Sequence, residues 1–466
     1  MSNSKMPVRP ARNLRDFLEA LAEWDPDSIL RIREPIALDY DMTAMAMELE
    51  RRGQSPVLWF EKVGDSPFPV VANVFGNRKR YAFAAGVEEP ELLDAWGRLG
   101  DKLHKPELVQ QGPILDNVHT GADVDLKRLP IPRHFAEDGG PYITNGIVVA
   151  KDPDTGVRNA SFHRMQLKGP NLLGTSLHSR RHLWTYARRA EELGQHLPVA
   201  VLIGCHPLLS FGSGLWKGPI STDEYEVAGG FFGEPIKIAM GPMGKVEIPI
   251  ECEIALEGTL IIGERFPEGP FAEFTGYASE RSTEHALKID TILYRNNAIF
   301  QDIVPGISDE HTMLLAIPQE ARLLRTLRQH NPNVTAVAYP KSGTCRLHAY
   351  VSVRDPAPGQ VRNIAAATLG DDLSLKLVVV VDDDVDVTSD FDVLWAMATR
   401  MQADTDMDLL RNAMGAVLDP SNNQGTTAKL IIDATRKTKP FPRRHTLPED
   451  AMARVQAMLA TYKLPR

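Results

Sequence analysis

The sequence predicts a mixed α/β (α+β) fold in three parts: an N-terminal α/β segment, a strand-rich barrel-like centre and a C-terminal α/β domain. Three observations carry this. Helical apolar spacing alternates with short strands over the first hundred residues, and short strands broken by Gly and Pro dominate from about Gly112. Strand and helix alternate again after about Gly306. At roughly 100–200 residues per domain the length suggests two to four domains. The expected division is 1–111, 112–305, 306–440 and a tail of 441–466.

The elements follow in order. Asn13 is placed to cap a helix carrying Leu14, Phe17, Leu18 and Leu21 at helical spacing. A second helix runs from about Met42 to Gly53. Strands are expected at Val57–Phe60 and Pro69–Val74, and a helix at Pro90–Leu103. In the centre, Gly146–Lys151 and Val157–Leu167 flank Asp152-Pro153-Asp154-Thr155-Gly156, a turn signal that makes them a hairpin. One helix, His182–Leu193, interrupts the region. Strands follow at Pro198–Gly204, Pro235–Ala239, Val246–Ile250, Ile254–Leu256 and Thr259–Ile262, and two more within Ala286–Ile303. Many short strands with few helices suggest a barrel. The last part reads as helix Gln319–Gln329, strands Thr335–Ala338 and Arg346–Val353, helix Gln360–Ala367, buried strand Leu377–Val381 and helix Asp392–Met401. A short helix, Ala451–Tyr462, is expected in the tail.

Composition narrows the class. Hydrophobic residues make up 43% and charged residues 24%, which excludes collagen, a disulfide scaffold and a chain disordered throughout. The net charge of −9 argues against nucleic-acid backbones and anionic membranes as partners. No apolar run approaches the roughly 18 residues of a membrane span. The N-terminus MSNSKMPVRPAR is basic without an apolar stretch, so no secretory signal is read. Cys205, Cys252 and Cys345 are widely spaced and odd in number, which fits a reducing compartment. The expectation is a cytoplasmic enzyme.

Five groups of residues could carry chemistry. In Arg158-Asn159-Ala160-Ser161-Phe162-His163-Arg164, strand alternation puts Asn159, Ser161 and His163 on one face and Phe162 and Arg164 on the other. A bulge could turn Asn159 and Arg164 toward one pocket; a solvated strand is the plainer alternative. His182 and Glu224, with Asn159, make an amide, an imidazole and a carboxylate, a set suited to Mn²⁺ or Mg²⁺. His178 competes with His182 for that role. Glu268 and Glu273 stand five apart in what reads as a Gly/Pro-bounded loop, Pro267–Tyr277. Two acids beside an arginine form an acid–base device, because repulsion raises one pKa while the arginine holds the other ionised. A surface turn is the competing reading. Asp382-Asp383-Asp384-Val385-Asp386 reads as a solvated loop after a buried strand, with a metal site as the conceivable alternative, and Thr426-Thr427-Ala428-Lys429 has a faint anion-binding look.

Together these segments resemble the UbiD family of prenylated-flavin-dependent (de)carboxylases, over about residues 10–440. The carriers are Arg158–Arg164, Arg181-His182, Glu224 before Ala228-Gly229, and Glu268-Gly269-Pro270-Phe271-Ala272-Glu273. Tyr294–Ile299, Glu310-His311-Thr312-Met313 and Val380–Asp386 add support. The resemblance implies a prenylated FMN held through Mn²⁺ with K⁺ nearby, and a central split β-barrel that binds the flavin. It implies Asn159, His182 and Glu224 as metal ligands and Arg164, Glu268 and Glu273 as the catalytic set. Asn159, Ser161, Phe162, His163, Arg164, Arg181, His182 and Glu224 would contact the cofactor. The implied reaction is reversible, non-oxidative decarboxylation of an α,β-unsaturated or (hetero)aromatic carboxylic acid, releasing CO₂. A flavin prenyltransferase would supply the cofactor, and the chain would form a homodimer or homohexamer. Position 181 is Arg where some relatives carry Gln. Lys376 is the lysine nearest to where some relatives bind the cofactor phosphate. A Mn²⁺-dependent hydrolase and a non-catalytic flavin-binding protein are the alternatives.

Overall fold

Asn13 opens the first helix, its Oδ1 accepting the amide of Asp16 at 2.9 Å. The helix, Leu14–Trp24, buries Leu14, Phe17, Leu18 and Leu21. The computed structural model describes residues 11–177, 181–216, 218–437 and 440–462. Strands Ile29–Ile32, Val57–Phe60 and Val70–Ala72 form a four-stranded sheet whose last member, Phe300–Gln301, comes from far along the chain. The helix expected over Pro90–Leu103 spans only Leu92–Leu99. A further helix, Arg78–Ala85, has no apolar stripe to announce it. Its Arg80 points inward and donates to the carbonyls of Val74, Ser55 and Asn73.

The centre is a nine-stranded antiparallel sheet. Its path runs Tyr142–Ile143, Met165–Gly169, Leu172–Thr175, Ser282–Tyr294, Ile254–Glu268, Leu197–Ile203, Ile147–Lys151, Arg158–Phe162, with Asn117–Thr120 paired to Ser282–Tyr294. No ladder joins the two ends of this path among the described residues. Strand Leu197–Ile203 is apolar on both faces: Val199, Val201 and Ile203 enter one core, Ala200 and Leu202 another. The sheet is therefore covered on both sides.

Several expectations change here. The strands expected at Ile254–Leu256 and Thr259–Ile262 are one fifteen-residue strand, Ile254–Glu268, with register shifts at Glu257/Gly258 and Ile261/Arg265. The strand expected over Val157–Leu167 is broken: it ends at Phe162 and restarts at Met165. The His182–Glu192 helix is not alone, since Pro207–Leu215 is helical and Glu224–Phe232 is a helix. That last helix is rich in Gly and aromatic residues, a composition that hides helical periodicity.

The C-terminal sheet has the order Val334–Ala338, His348–Val353, Leu377–Asp382, Thr426–Ala434, Met407–Met414. Helices Asp309–His330, Gln360–Asp371 and Asp390–Arg400 accompany it. The first is longer than expected because Ser308 caps it upstream, accepting the His311 amide at 3.1 Å, and because Pro318 is accommodated inside it. The anion-binding look of Thr426–Lys429 does not survive. The segment is a strand, and the buried Lys429 ammonium donates to the Leu373 carbonyl at 2.8 Å. The acidic run after Leu377–Asp382 is no metal site either, since Arg400 bridges Asp382 and Asp384. No described helix is long and apolar enough to cross a membrane.

Candidate active site

Asn159, Ser161 and His163 share one face of their strand, as alternation requires. The Ser161 hydroxyl lies 3.2 Å from Asn159 Oδ1 and 2.9 Å from His163 Nε2, and His163 Nδ1 is 3.2 Å from the Ser176 carbonyl. Two helix starts converge on this row. His182 is the first residue of His182–Glu192, and Glu224 the first of Glu224–Phe232, which Asp223 caps. Asn159 Nδ2 donates to Glu224 Oε1 at 2.9 Å, and His182 Nδ1 lies 3.4 Å from the same oxygen. The three predicted ligands therefore meet at one point.

Glu224 is 2% exposed, and its second oxygen, Oε2, is buried with no hydrogen-bond partner. Burial raises its pKa, against the pull of His182 and Asn159. An orphaned buried carboxylate oxygen beside an imidazole and an amide is what a divalent cation would satisfy. The donor set fits Mn²⁺. Among the described residues no cluster of three or more His, Cys, Asp or Glu side chains forms a fuller metal site. His178 lies outside the described residues.

Arg164 sits in the break between the two strands, where alternation no longer fixes its direction. Its guanidinium engages Glu268 in two parallel bonds, Nε to Oε1 at 3.0 Å and Nη2 to Oε2 at 3.1 Å. The remaining nitrogen, Nη1, donates to Glu273 Oε1. The ring of Phe271 lies 4.9 Å below the guanidinium carbon. Glu268 is fully buried and Glu273 is 7% exposed. Glu268 is not in a loop, as expected, but is the last residue of the Ile254–Glu268 strand, paired with Ser282. Only Glu273 lies in the loop. Burial raises the Glu273 pKa and repulsion from Glu268 adds to it, while Arg164 opposes both. Burial works against the charge on Arg164, but Glu273 and Glu268 outweigh it and push its pKa up. The cluster thus holds a fixed cation and an acid biased toward its protonated form.

Phe162 closes its strand half-buried and packs with the apolar residues beneath the site. Arg181 precedes the His182 helix and keeps an exposed surface. Surrounding protein and the nearby charge of Arg346 lower its pKa, with Asp372 acting the other way. Lys376 is turned elsewhere, bonded to Asp419 and Ser421 at 2.8 and 2.6 Å. Sequence reasoning missed Tyr142, whose hydroxyl accepts the Gly269 amide at 3.1 Å, and Asp138, which holds the Ala272 amide at 2.9 Å. The Glu137-Asp138-Gly139-Gly140-Pro141 run was the available signal for both, a tight polar turn just before a strand.

Models of the three 3-octaprenyl-4-hydroxybenzoate carboxy-lyase (UbiD) domains match in chain order. The N-terminal domain matches residues 24–99, the Rift-related domain 107–308 and the C-terminal domain 312–434. The chain belongs to the UbiD family. It is 34% identical to the anhydromevalonate phosphate decarboxylase of Methanothermobacter thermautotrophicus over 91% of this chain and 96% of that one. To the phenolic acid decarboxylase of Bacillus subtilis it is 32% identical, over 92% and 94% of the two chains. Its fold superposes on the UbiD-class enzyme HmfF from Pelotomaculum thermopropionicum in complex with FMN. The TM-score is 0.90 at 32% identity, covering 96% of this chain and 99% of that one. An evolved dimeric form of HmfF in complex with prFMN gives 0.86 at 31% identity, covering 95% and 98%. The chain is accordingly a carboxy-lyase, which displaces the hydrolase and the non-catalytic readings.

Proposed function

We propose that this UbiD-family carboxy-lyase performs reversible, non-oxidative decarboxylation of an α,β-unsaturated or (hetero)aromatic carboxylic acid with prenylated FMN. The observation that carries the reading is the sharing of one guanidinium, Arg164, by two buried glutamates, one strand break away from the Asn159–His182–Glu224 set. The FMN and prFMN bound to HmfF support the cofactor. The unsaturated-acid class draws on relatives named for anhydromevalonate phosphate and phenolic acid.

When bound, the prenylated flavin would supply an electrophile that accepts the electron pair left by departing CO₂. Asn159, His182 and Glu224 would hold Mn²⁺ on its phosphate, with K⁺ nearby as the family resemblance implies. Ser161, Phe162, His163 and Arg181 would line its length. Arg164 orients the substrate carboxylate, its direction fixed by the bidentate bond to Glu268. Glu268 pairs with Arg164 through both of its oxygens and keeps that cation aimed. Glu273 carries the proton that replaces CO₂ on the substrate carbon. Burial raises its pKa above the ordinary carboxylate value, the direction a proton donor needs, and proton transfer by a placed acid contributes roughly 10²–10⁴-fold. In the reverse direction Glu273 takes that proton back.

The division at 1–111, 112–305, 306–440 and 441–466 is part of the proposal, as are a flavin prenyltransferase as cofactor supplier and assembly into a homodimer or homohexamer. The decisive experiment compares protein made with and without a flavin prenyltransferase. A panel of aromatic and unsaturated acids is then screened for CO₂ release. The chain is expected to fold in both cases and to turn over only with prenylated FMN and Mn²⁺. Full turnover by flavin-free protein would sink the reading.

A further inference from the structure

The proton donor proposed above sits on a small hairpin that its own strands do not aim. Residues 269–281 leave the sheet at Glu268 and return at Ser282. Inside, Ala272 bridges Ala278, the Ser279 amide bonds the Phe271 carbonyl at 2.8 Å, and the Glu273 amide bonds the Tyr277 carbonyl at 2.9 Å. These bonds shape the hairpin but leave its tilt over Arg164 undetermined. Arg164 cannot set that tilt alone, because it must also engage a substrate carboxylate.

A second segment, 135–142, grips the hairpin from outside. The Gly139 amide donates to the Pro270 carbonyl at 2.7 Å. The Tyr142 hydroxyl accepts from the Gly269 amide, and the Tyr142 ring packs at 4.7 Å on Phe271. The buried charged member is Asp138, 2% exposed. One of its oxygens accepts the Phe135 amide and the other the Ala272 amide, both at 2.9 Å. Its carboxylate thus ties the residue just before Glu273 to a segment that is itself closed by the Asp138 amide on the Phe135 carbonyl at 3.1 Å.

We propose that Asp138 is a positioning residue for proton transfer: its carboxylate fixes the Ala272 backbone and so holds the Glu273 carboxyl in register with Arg164. The inference rests on the decarboxylase reading for its kinetic consequence, and on the two amide bonds alone for its structural one. Both oxygens receive N–H groups, so an amide at this position must turn an NH₂ toward one of them. Asp138→Asn therefore loses at least one anchor while keeping its size.

The test is Asp138→Asn in the cofactor-loaded enzyme. Turnover should fall about tenfold or more, since misplacing a reacting group by about 1 Å can cost about 10²-fold. KM and prenylated FMN retention should stay within about twofold, because the clamp touches neither the Asn159–His182–Glu224 set nor Arg164. In a Glu273→Gln background the added Asp138→Asn should cost little, since two residues serving one step do not multiply their losses. Amide hydrogen exchange across 269–281 should quicken by about tenfold or more, with Leu197–Ile203 unchanged. Should Asp138→Asn fail to accumulate, Asp138→Ser removes the carboxylate in a smaller side chain. Losses that multiply, or unaltered exchange in 269–281, would overturn the assignment. Wild-type enzyme that turns over no acid would defeat the decarboxylase reading instead, and the exchange comparison would still decide the clamp.

Discussion

Glu273 is the residue on which the proposed chemistry turns. Glu273→Gln preserves size and polarity but has no carboxylic proton. Turnover and exchange of the product's vinyl or ring hydrogen with D₂O should both fall by about 10² or more, while flavin and Mn²⁺ are retained. Near-normal decarboxylation with normal exchange would move the proton donor elsewhere. The pH consequence has a definite sign. A carboxyl whose folded-state pKa is raised favours the native state at low pH, and that contribution is lost as pH rises through the folded value. Wild-type stability should therefore drop more than that of Glu273→Gln between mildly acidic and mildly alkaline buffer, read by denaturant midpoints. Glu224 is the second case. It is buried, with one orphaned oxygen. Glu224→Gln replaces a buried carboxylate whose Oε2 lacks a partner, so metal-free stability should hold or rise. Mn²⁺ should raise the melting temperature of the wild type and not of the variant, because only a native-state ligand stabilises by mass action. Equal shifts in both would remove Glu224 from the metal site. The residues that meet around Arg164 and Glu224 stand in short polar runs, but it is the family resemblance, not the runs, that singles them out. Asp138 and Tyr142 were not legible, because their roles depend on a hairpin 130 or so residues away folding back onto them, a contact without local signature.

At the scale of elements, the site depends on two departures from regularity. The first is the strand break at His163-Arg164, which lets Asn159 and Arg164 serve different neighbours. Alternation placed Asn159, Ser161 and His163 correctly and could not place Arg164, since the period-two rule ends where the ladder does. The second is the Gly229-Gly230 pair in the helix that presents Glu224. Glycine is a poor helix former, and the reason for it here is contact. A Cβ on Gly229 would come within 2.7 Å of the His104 carbonyl oxygen, and one on Gly230 within 2.0 Å of that of Lys102. The helix lies directly on the backbone of residues 102–104, so no side-chain rotation can relieve the clash. Gly230→Ala should destabilise the protein by about 1–3 kcal/mol, the usual cost of overpacking. It should also weaken Mn²⁺ retention, because the displaced helix carries Glu224 with it. Thermal denaturation and metal analysis check this together; a stable variant with full Mn²⁺ would show that the helix can shift freely. Two of the strands missed in the sequence, Met407–Met414 and Thr426–Ala434, fail for a related reason. The first is an edge strand with little burial, so its alternation is weak. The second opens on a polar half, Thr426–Lys429, that masks the apolar half behind it.

For the whole molecule, the order of segments was legible and their exchange of strands was not. Apolar periodicity located most helices and strands, because burial acts on each element locally. Nothing local reports that Phe300–Gln301 joins the N-terminal sheet or that Glu107–Leu108 pairs with Lys237–Met240. The tail carries the last consequence. Helix Glu449–Leu459 contains no buried residue, yet Met452, Val455 and Leu459 stand at the spacing of one helical stripe. A helix of eleven residues is marginal alone in water, so such a stripe implies a surface to cover it. Elsewhere on the chain, Leu409, Leu410 and Met414 on the exposed edge strand, with Leu373 opposite, border a cavity of about 430 Å³. Bare apolar surface on both a terminal helix and a sheet edge fits the homo-oligomer proposed above, in which each copy covers surface on another. Neither belongs to the strand break that carries Arg164 or to the helix that carries Glu224. Removing residues 441–466 should therefore reduce the assembly mass measured by light scattering, while flavin and Mn²⁺ are retained. A truncated chain with the full-length mass would show that the tail plays no part in assembly, and a monomeric full-length chain would remove the oligomer from the proposal.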